Sequence, residues 1–475
     1  MLETKLKLQN YLPIIGLEVH VELSTKSKMF CACSAHHFLE KPNIHTCPVC
    51  LGLPGALPVP NQKAIDDCLL VGLALQCEIQ NESKFDRKNY FYPDLPKGYQ
   101  ISQYDMPFCR NGYLKIKMLN VKSKVTNQNL KLIRINRVHL EEDTGKLIHT
   151  TVDGQKVTLI DFNRSGVPLV EIVSEPDLNN AEEAVAYLKK IQQIIRYLGV
   201  SDADMEKGSI RLEVNISLKK IKIQNAKIKM KDQKLKLPDY KVEIKNINSF
   251  RFVGRAINYE IERQREILET GKMPTQETRG FAARSGKTIS QRSKEEADDY
   301  RYFPEPDIPP FTNLKAKILN LKSSLPELPD EKKTRFVKQY GISEYNAEIL
   351  AACKKTADYF EEAIKARFKI EDLRFKNITN NEIANIIVNK KIDVDKYMPA
   401  RLVEILVKKS KKQKLNEGVI AEAVGKVISQ NSKAVADYKK GKITVIQFLI
   451  GRVMREAKGR ADPEIIRKEI LNRLS

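Results

Sequence analysis

With 475 residues, 42% of them hydrophobic and 30% charged, the chain is globular but too long for one ordinary core, so two to four domains are expected. No stretch approaches the apolar length of a membrane span, and MLETKLKLQNYLP lacks the apolar region of a secretory signal; a cytoplasmic (or organelle-stromal) protein with no membrane partner is expected. The net charge of +22 points to a polyanion such as nucleic acid, or else to a lysine-rich bias of the whole proteome.

The first element is GLEVHVEL at 16–23. Strict alternation predicts a strand with Leu17, Val19, Val21 and Leu23 on a core face and Glu18, His20 and Glu22 on the other. That other face is either solvated or an array of ligands. Next come Cys31, Cys33, Cys47 and Cys50, a C-x-C and a C-x-x-C within twenty residues. Pro42-Asn43 and Pro48 supply turns. In a large cytosolic chain this set suits tetrahedral Zn2+ better than disulfides. Such a site is structural, because four thiolates leave no open position. Cys68, Cys77, Cys109 and Cys353 stand singly and read as buried thiols.

Three polar clusters follow. FDRKNYFYPDLPKGYQISQ (85–103) mixes cations, aromatics and turn residues, as a binding loop would. LEEDTGK (140–146) holds three consecutive acids. DFNRSGVPLVEIVSEPD (161–177) sets Glu171 inside the apolar strand Leu169–Val173, where an acid must be paired, metal-bound or at a strand end. Each could also be an ordinary charged turn.

A helix is expected over Ala181–Leu198, with Asn180 and Glu183 as a capping box and Gly199 as the stop. Its stripe is Ala184, Leu188, Ile191, Ile195 and Leu198. Leu218–Leu237 carries eight lysines and alternates like a basic hairpin. A second helix runs from about Val253 to Thr270, ending at Gly271. SGKT (285–288) resembles the end of a phosphate loop, but Phe281 stands where the first glycine belongs, so a hairpin turn at Arg284-Ser285-Gly286 is expected. Leu314–Val407 has helical pattern, Lys408–Lys414 reads as a basic hinge, and Leu415–Ser475 as a small helical domain. There is no internal repeat, and no Ser or Cys lies in a recognisable nucleophile motif.

IGLEVHVEL, FDRKNYFYPDLPKGYQISQYD, LEEDTGK, DFNRSGVPLVEIVSEPD, DMEKGSIRLEVNISL, VEIKNINSF, ADDYRYFPEPDIPP and NSKAVADYKKGK…FLIGRVMREAKGRADP together resemble the GatB family. Its members are the B component of aspartyl/glutamyl-tRNA amidotransferase, and the resemblance covers essentially the whole chain. It implies an α+β architecture: a mixed α/β cradle-shaped catalytic domain (1–310), an all-α linker domain (311–407) and a small all-α tail domain (408–475). The implied activity is ATP-dependent transamidation of misacylated Glu-tRNA(Gln) or Asp-tRNA(Asn). The side-chain carboxylate becomes an acyl phosphate, which ammonia converts to the amide. The implied partners are the amidase component of the same enzyme, which makes the ammonia, and a small third component that bridges the two.

Phosphorylating a carboxylate brings two anions together, so Mg2+ held by carboxylates is expected. The resemblance implies Glu18, His20, Lys88, Glu141, Glu142 and Glu171 as the catalytic set, with Mg2+ on Glu18, His20, Glu142 and Glu171. Mg2+ prefers oxygen, which suits His20 better to an outer position. Arg87, Tyr90, Tyr92, Arg164 and Ser165 are expected at ATP or substrate, and Lys439, Lys442, Arg452, Lys458 and Arg460 at tRNA. Two rivals are a non-catalytic zinc-containing tRNA-binding protein and a standalone ligase of free amino acid. The first fits poorly with an acidic set on an RNA-binding surface, the second with a basic tail.

Overall fold

The computed structural model describes residues 10–117, 130–221, 237–293, 300–369, 378–389, 391, 393–411, 417–439, 441–442, 444–457, 461 and 463–474. The chain divides into two compact units, Met1–Leu328 and Pro329–Ser475.

The first unit is α+β. Its strands are β1 (Tyr11–Glu22), β2 (Glu78–Ile79), β3 (Asp86–Asn89), β4 (Tyr99–Ser102), β5 (Cys109–Lys117), β6 (Leu130–Glu142), β7 (Lys146–Val152), β8 (Gln155–Asp161), β9 (Pro168–Ser174), β10 (Ile210–Lys220), β11 (Val242–Ile247), β12 (Glu277–Ala282), β13 (Lys287–Ser293) and β14 (Arg301–Pro304). Nine of them form one sheet in the order β13-β12-β11-β10-β1-β9-β6-β5-β2. Only the β11–β12 pairing in it is parallel. β14, β3 and β4 form a small separate sheet, and β7 with β8 a hairpin.

The alternation of GLEVHVEL is realised in β1: Leu17, Val19, Val21 and Leu23 are buried in the main core. Helices Gln62–Ala74, Ala181–Leu198 and Phe250–Glu269 cover that side of the sheet. Each fully buried aliphatic side chain here contributes about 1.5–3 kcal/mol of transfer free energy.

Helix Ala181–Leu198 starts and stops at the expected residues. Asn180 accepts from the Glu183 N–H, and Gly199 closes the helix at φ +70°. The box is shifted, however. Glu183 accepts from the backbone N–H of Asn179, one residue before the N-cap, and from the Lys131 ammonium on β6. The next helix starts at Phe250, before Val253, because Ser249 caps the Phe252 N–H. Between β12 and β13, Gly286 sits at φ +69° and donates to the Ala282 carbonyl, so SGKT is a hairpin turn. The basic hairpin expected over Leu218–Leu237 lies almost wholly outside the described residues; β10 runs on only to Lys220.

The second unit is helical and holds two separate apolar clusters. One gathers Phe336, Leu350, Phe360, Ile364, Ile383 and Leu402; the other gathers Val424, Leu449, Val453, Ile466 and Ile470. The expected hinge begins inside a helix, Pro399–Lys411, because the helical period carries on through the lysines; 412–416 lie outside the described residues. Cys353, expected to be buried, is exposed at the start of helix Lys354–Lys369. Among the described residues no helix is long and apolar enough to cross a membrane.

Candidate functional site

The face of the sheet opposite the helices is polar, and strand register assembles it. β1 lies between β9 and β10, so His20 pairs with Glu171 on one side and Arg211 on the other. Glu171 in turn pairs with His139 of β6. Because alternate residues share a face, Glu18, His20 and Glu22 join Glu171, Arg137, His139 and Glu141, and on the other flank Arg211, Glu213, Asn215, Glu243 and Lys245.

Two acid-rich groups result. His20, Glu141 and Glu171 bring ligand atoms within 4.8 Å of one another, and Glu18, Glu213 and Glu243 do the same beside them. His20 Nε2 lies 3.8 Å from Glu141 and 3.7 Å from Glu171, and His139 Nε2 is 3.0 Å from Glu171. The Ser102 hydroxyl donates to Glu141 at 3.0 Å, and Asn215 donates to Glu18 at 2.8 Å.

Burial alone would raise the Glu171 carboxyl, but His139 and His20 outweigh it and hold it well below the carboxylate range. Burial pushes the His20 imidazole down, and the carboxylates of Glu171, Glu213 and Glu141 more than reverse this. Glu18 is raised, first by burial and then by Glu171 and Glu213. Two carboxylates and an imidazole converging on one point form a donor set that fits a hard divalent cation, with the oxygens as principal ligands.

Glu142 does not belong to this set. Successive strand residues face opposite ways. Its carboxylate accepts from the Ile101 N–H at 3.0 Å and pairs with Lys97 at 2.6 Å. It lines a cavity of about 230 Å³ between the cysteine loop and the β3–β4 hairpin, with Tyr99, Arg87 and Asp307. Of the expected Mg2+ ligands, His20 and Glu171 are together, Glu18 is in the neighbouring group, and Glu141 takes the place assigned to Glu142.

Lys88 and Arg87 part in the same way. Lys88 is half-buried near Glu141, with its ammonium 4.8 Å from the Tyr300 ring and 5.7 Å from that of Tyr90. Arg87 is held in a fork by Glu305 at 2.7 and 2.8 Å and stacks on Tyr99, so its charge is already matched. Arg164 donates to the carbonyls of Thr144 and Gly145, bracing the turn after β6. The Ser165 hydroxyl donates to the Cys50 carbonyl. Arg164 also pairs with Asp143 at 3.7 Å, and neither it nor Ser165 is a hydrogen-bond or ion-pair partner of Glu141 or Glu171 among the described residues. Tyr92 is exposed.

The four cysteines Cys31, Cys33, Cys47 and Cys50 converge, with their sulfurs within 4.8 Å of one another. The Cys50 thiol is pulled down to about 4, chiefly by a hydrogen bond from Cys31, against burial and with help from Lys28. Cys33 is pushed up to about 11, chiefly by burial. The set fits a soft divalent ion such as Zn2+. The loop is stapled to β1 and to the connection between β8 and β9: His37 bonds Glu22 of β1 at 2.9 Å, His45 N–H donates to Asn163 at 2.8 Å, and Phe162 N–H donates to Asn43 at 2.7 Å.

In the tail, helix Val445–Glu456 buries Ile446, Leu449, Ile450 and Val453. Phe448 is exposed, with the Arg452 guanidinium 5.3 Å from its ring centre. Lys439, Lys442 and Arg452 are exposed, and Lys458 and Arg460 lie outside the described residues.

Residues that motif reading passed over include His139, Arg137, Arg211, Glu213, Glu243 and Lys28. The signal for the strand residues was a polar position in phase with an identified one, as His139 is with Glu141.

Known proteins match along the whole chain. Residues 13–319 match the family described as GatB/GatE catalytic domain, and 380–474 the one described as GatB domain. The B component of the aspartyl/glutamyl-tRNA(Asn/Gln) amidotransferase of Caldicellulosiruptor saccharolyticus is 43% identical over 495 residues, covering 97% of this chain and 98% of its own. The protein of the same name from Thermotoga maritima is 44% identical over 499 residues, with the same shares. That of Carboxydothermus hydrogenoformans is 43% identical over 500 residues, covering 98% of this chain and all of its own.

Proposed function

Because the chain belongs to the GatB family of aspartyl/glutamyl-tRNA amidotransferase components, we propose that its polar sheet face amidates misacylated Glu-tRNA(Gln), Asp-tRNA(Asn) or both. The observation that carries this reading is the convergence of His20, Glu141 and Glu171 on one point. A carboxylate is a poor acyl donor, so the reaction consumes ATP to turn it into an acyl phosphate, and ammonia then displaces phosphate. Mg2+ would be held by Glu141 and Glu171, with His20 at its edge, and supplies charge stabilisation to the phosphoryl oxygens.

The chain's own residues set the stage. Lys88 puts a half-buried cation beside Glu141, where anionic reactants would gather. His139 and Ser102 orient Glu171 and Glu141. Glu18, with its raised carboxyl, is suited to accept the proton that the attacking nitrogen must lose. Tyr90, Tyr300 and Tyr302 stand around Lys88 and fix where its ammonium lies.

The same reading assigns ammonia production to a partner amidase, bridged to this chain by a small third component, in the cytoplasm. It makes 1–310 the cradle, 311–407 a linker and 408–475 the tRNA-holding tail, and puts structural Zn2+ on Cys31, Cys33, Cys47 and Cys50. The buried carboxylate array argues against a non-catalytic tRNA-binding protein, since such groups would repel RNA without serving it. The test is amidation by the reconstituted enzyme with ATP, Mg2+ and each misacylated tRNA. Amide formation that requires ATP and Mg2+, and fails in Glu171→Gln, is expected; tRNA binding without ATP-dependent amidation would overturn the reading.

A further inference from the structure

Lys28 is fully buried, at 0% exposure, on the loop that leaves β1. Its ammonium donates to the carbonyls of His45 at 2.7 Å and Phe162 at 3.2 Å, and its third direction meets Cys50 Sγ at 3.6 Å. Among the described residues no carboxylate stands within ion-pair distance of it. A buried ammonium without an acid is costly unless another anion is at hand. Carbonyl dipoles solvate it but do not neutralise it. The anions within reach are the cysteine sulfurs.

The cysteine centre has the complementary problem. Four thiolates on a divalent ion carry a net charge of about −2, here at a half-buried site with only Cys50 fully buried. A single ammonium beside one sulfur halves that charge, and an N–H···S contact tempers the sulfur as a ligand. The side chain passes beside Gly166, where a Cβ would meet Lys28 Cδ at 3.4 Å and Cys50 Cβ at 3.5 Å, both ordinary packing contacts.

We infer that Lys28 is the counter-cation of the cysteine centre, and that it sets how firmly a divalent metal is retained there. It acts through Cys50 and is a positioning residue, not a ligand. Its bonds to His45 and Phe162 tie the cysteine loop to the connection between β8 and β9, so charge balance and anchoring lie in one side chain. The inference rests on the metal-centre reading of the four cysteines.

The test uses the full chain loaded with Co2+ or Zn2+. Wild-type protein should take up one Co2+ with the intense d–d absorption of a tetrahedral thiolate site. In Lys28→Met and Lys28→Gln the sulfur-to-cobalt charge-transfer band should shift, and Zn2+ should pass to a chelator about 10–100 times faster. Lys28→Arg keeps the charge and should stay near wild type. Gln can still bond the carbonyls, so it separates charge from anchoring, and the Gln–Arg pair decides the matter if the Met variant does not fold. Unchanged spectra and release rates in the Gln variant would overturn the inference alone. A wild-type protein that takes up no Co2+ would overturn the metal-centre reading and this inference with it.

Discussion

His139 and Glu171 face each other across β6 and β9 at 3.0 Å, and the far neighbour of Glu171 in the same row is His20. One carboxylate is thus gripped between two imidazoles from different strands. His139 is only 2% exposed and reaches no open space, so its contribution is to hold Glu171. His139→Ala should weaken divalent-ion binding about 10–100-fold while the fold survives. Mn2+ titration followed by electron paramagnetic resonance checks this, and wild-type affinity would show that Glu171 orients itself.

Glu141 and Glu142 should behave differently though they are adjacent. Glu141→Gln should abolish Mg2+-dependent ATP use with little loss of stability. Glu142→Gln strands the ammonium of Lys97, itself nearly buried, and should cost about 3–5 kcal/mol while ATP use per folded molecule persists. Urea denaturation and ATP turnover on the same two samples separate the cases; equal loss of turnover in both would return Glu142 to the site.

Purified protein should carry about one Zn2+ per chain, and a Cys47→Ser/Cys50→Ser variant should carry none. Elemental analysis after gentle purification decides it. Full metal content in the double variant would place the metal elsewhere.

What the sequence made legible was whatever depends on near neighbours. The alternation around His20, the caps at Asn180 and Gly199, the turn at Gly286 and the paired cysteines are all local patterns, and each appears where it was expected. The grouping of acids depended on strand order, which brings β10, β1, β9 and β6 side by side from distant segments. Arg211 and Glu213 therefore escaped notice. Glu142 was drawn in because consecutive acids look like a cluster, although strand alternation pulls them apart. Arg87 looked free because its partner Glu305 lies at the far end of the unit.

Deleting residues 415–475 should weaken tRNA binding and raise the KM for misacylated tRNA, with ATP use on the sheet nearly unchanged. Lys439, Lys442 and Arg452 present their charges to solvent on a helical scaffold with its own apolar cluster. Affinity carried by phosphate contacts falls steeply with salt. Binding at two salt concentrations checks this: the truncated chain should show a shallower slope, and an equal slope and affinity would clear the tail of the role.

In the helical unit, Glu361 accepts from Arg335 at 2.7 and 3.1 Å and from the Tyr340 hydroxyl at 2.8 Å. Burial would raise its carboxyl, but these bonds and the Arg335 charge hold it below the ordinary value. A carboxyl lower in the folded than in the unfolded chain stabilises above its unfolded pKa of about 4.3 and loses that contribution as pH falls through the folded value. The unit should therefore lose stability on acidification below about pH 4.3, and Glu361→Gln should remove part of that slope at a cost of about 1 kcal/mol at neutral pH. Thermal melts across pH 3–7 give the answer; an unchanged slope would sink the assignment.

β1 is paired on both edges, to β10 and to β9, and it carries core and polar-face side chains on alternate residues. One inserted or deleted residue between Gly16 and Leu23 would turn Val19 and Val21 toward the acids and drive Glu18 and His20 into the core. Point substitutions on either side of this ribbon can be absorbed one at a time. A change in its length cannot, because the reading frame of the backbone is itself what sets the acids on one face and the core on the other.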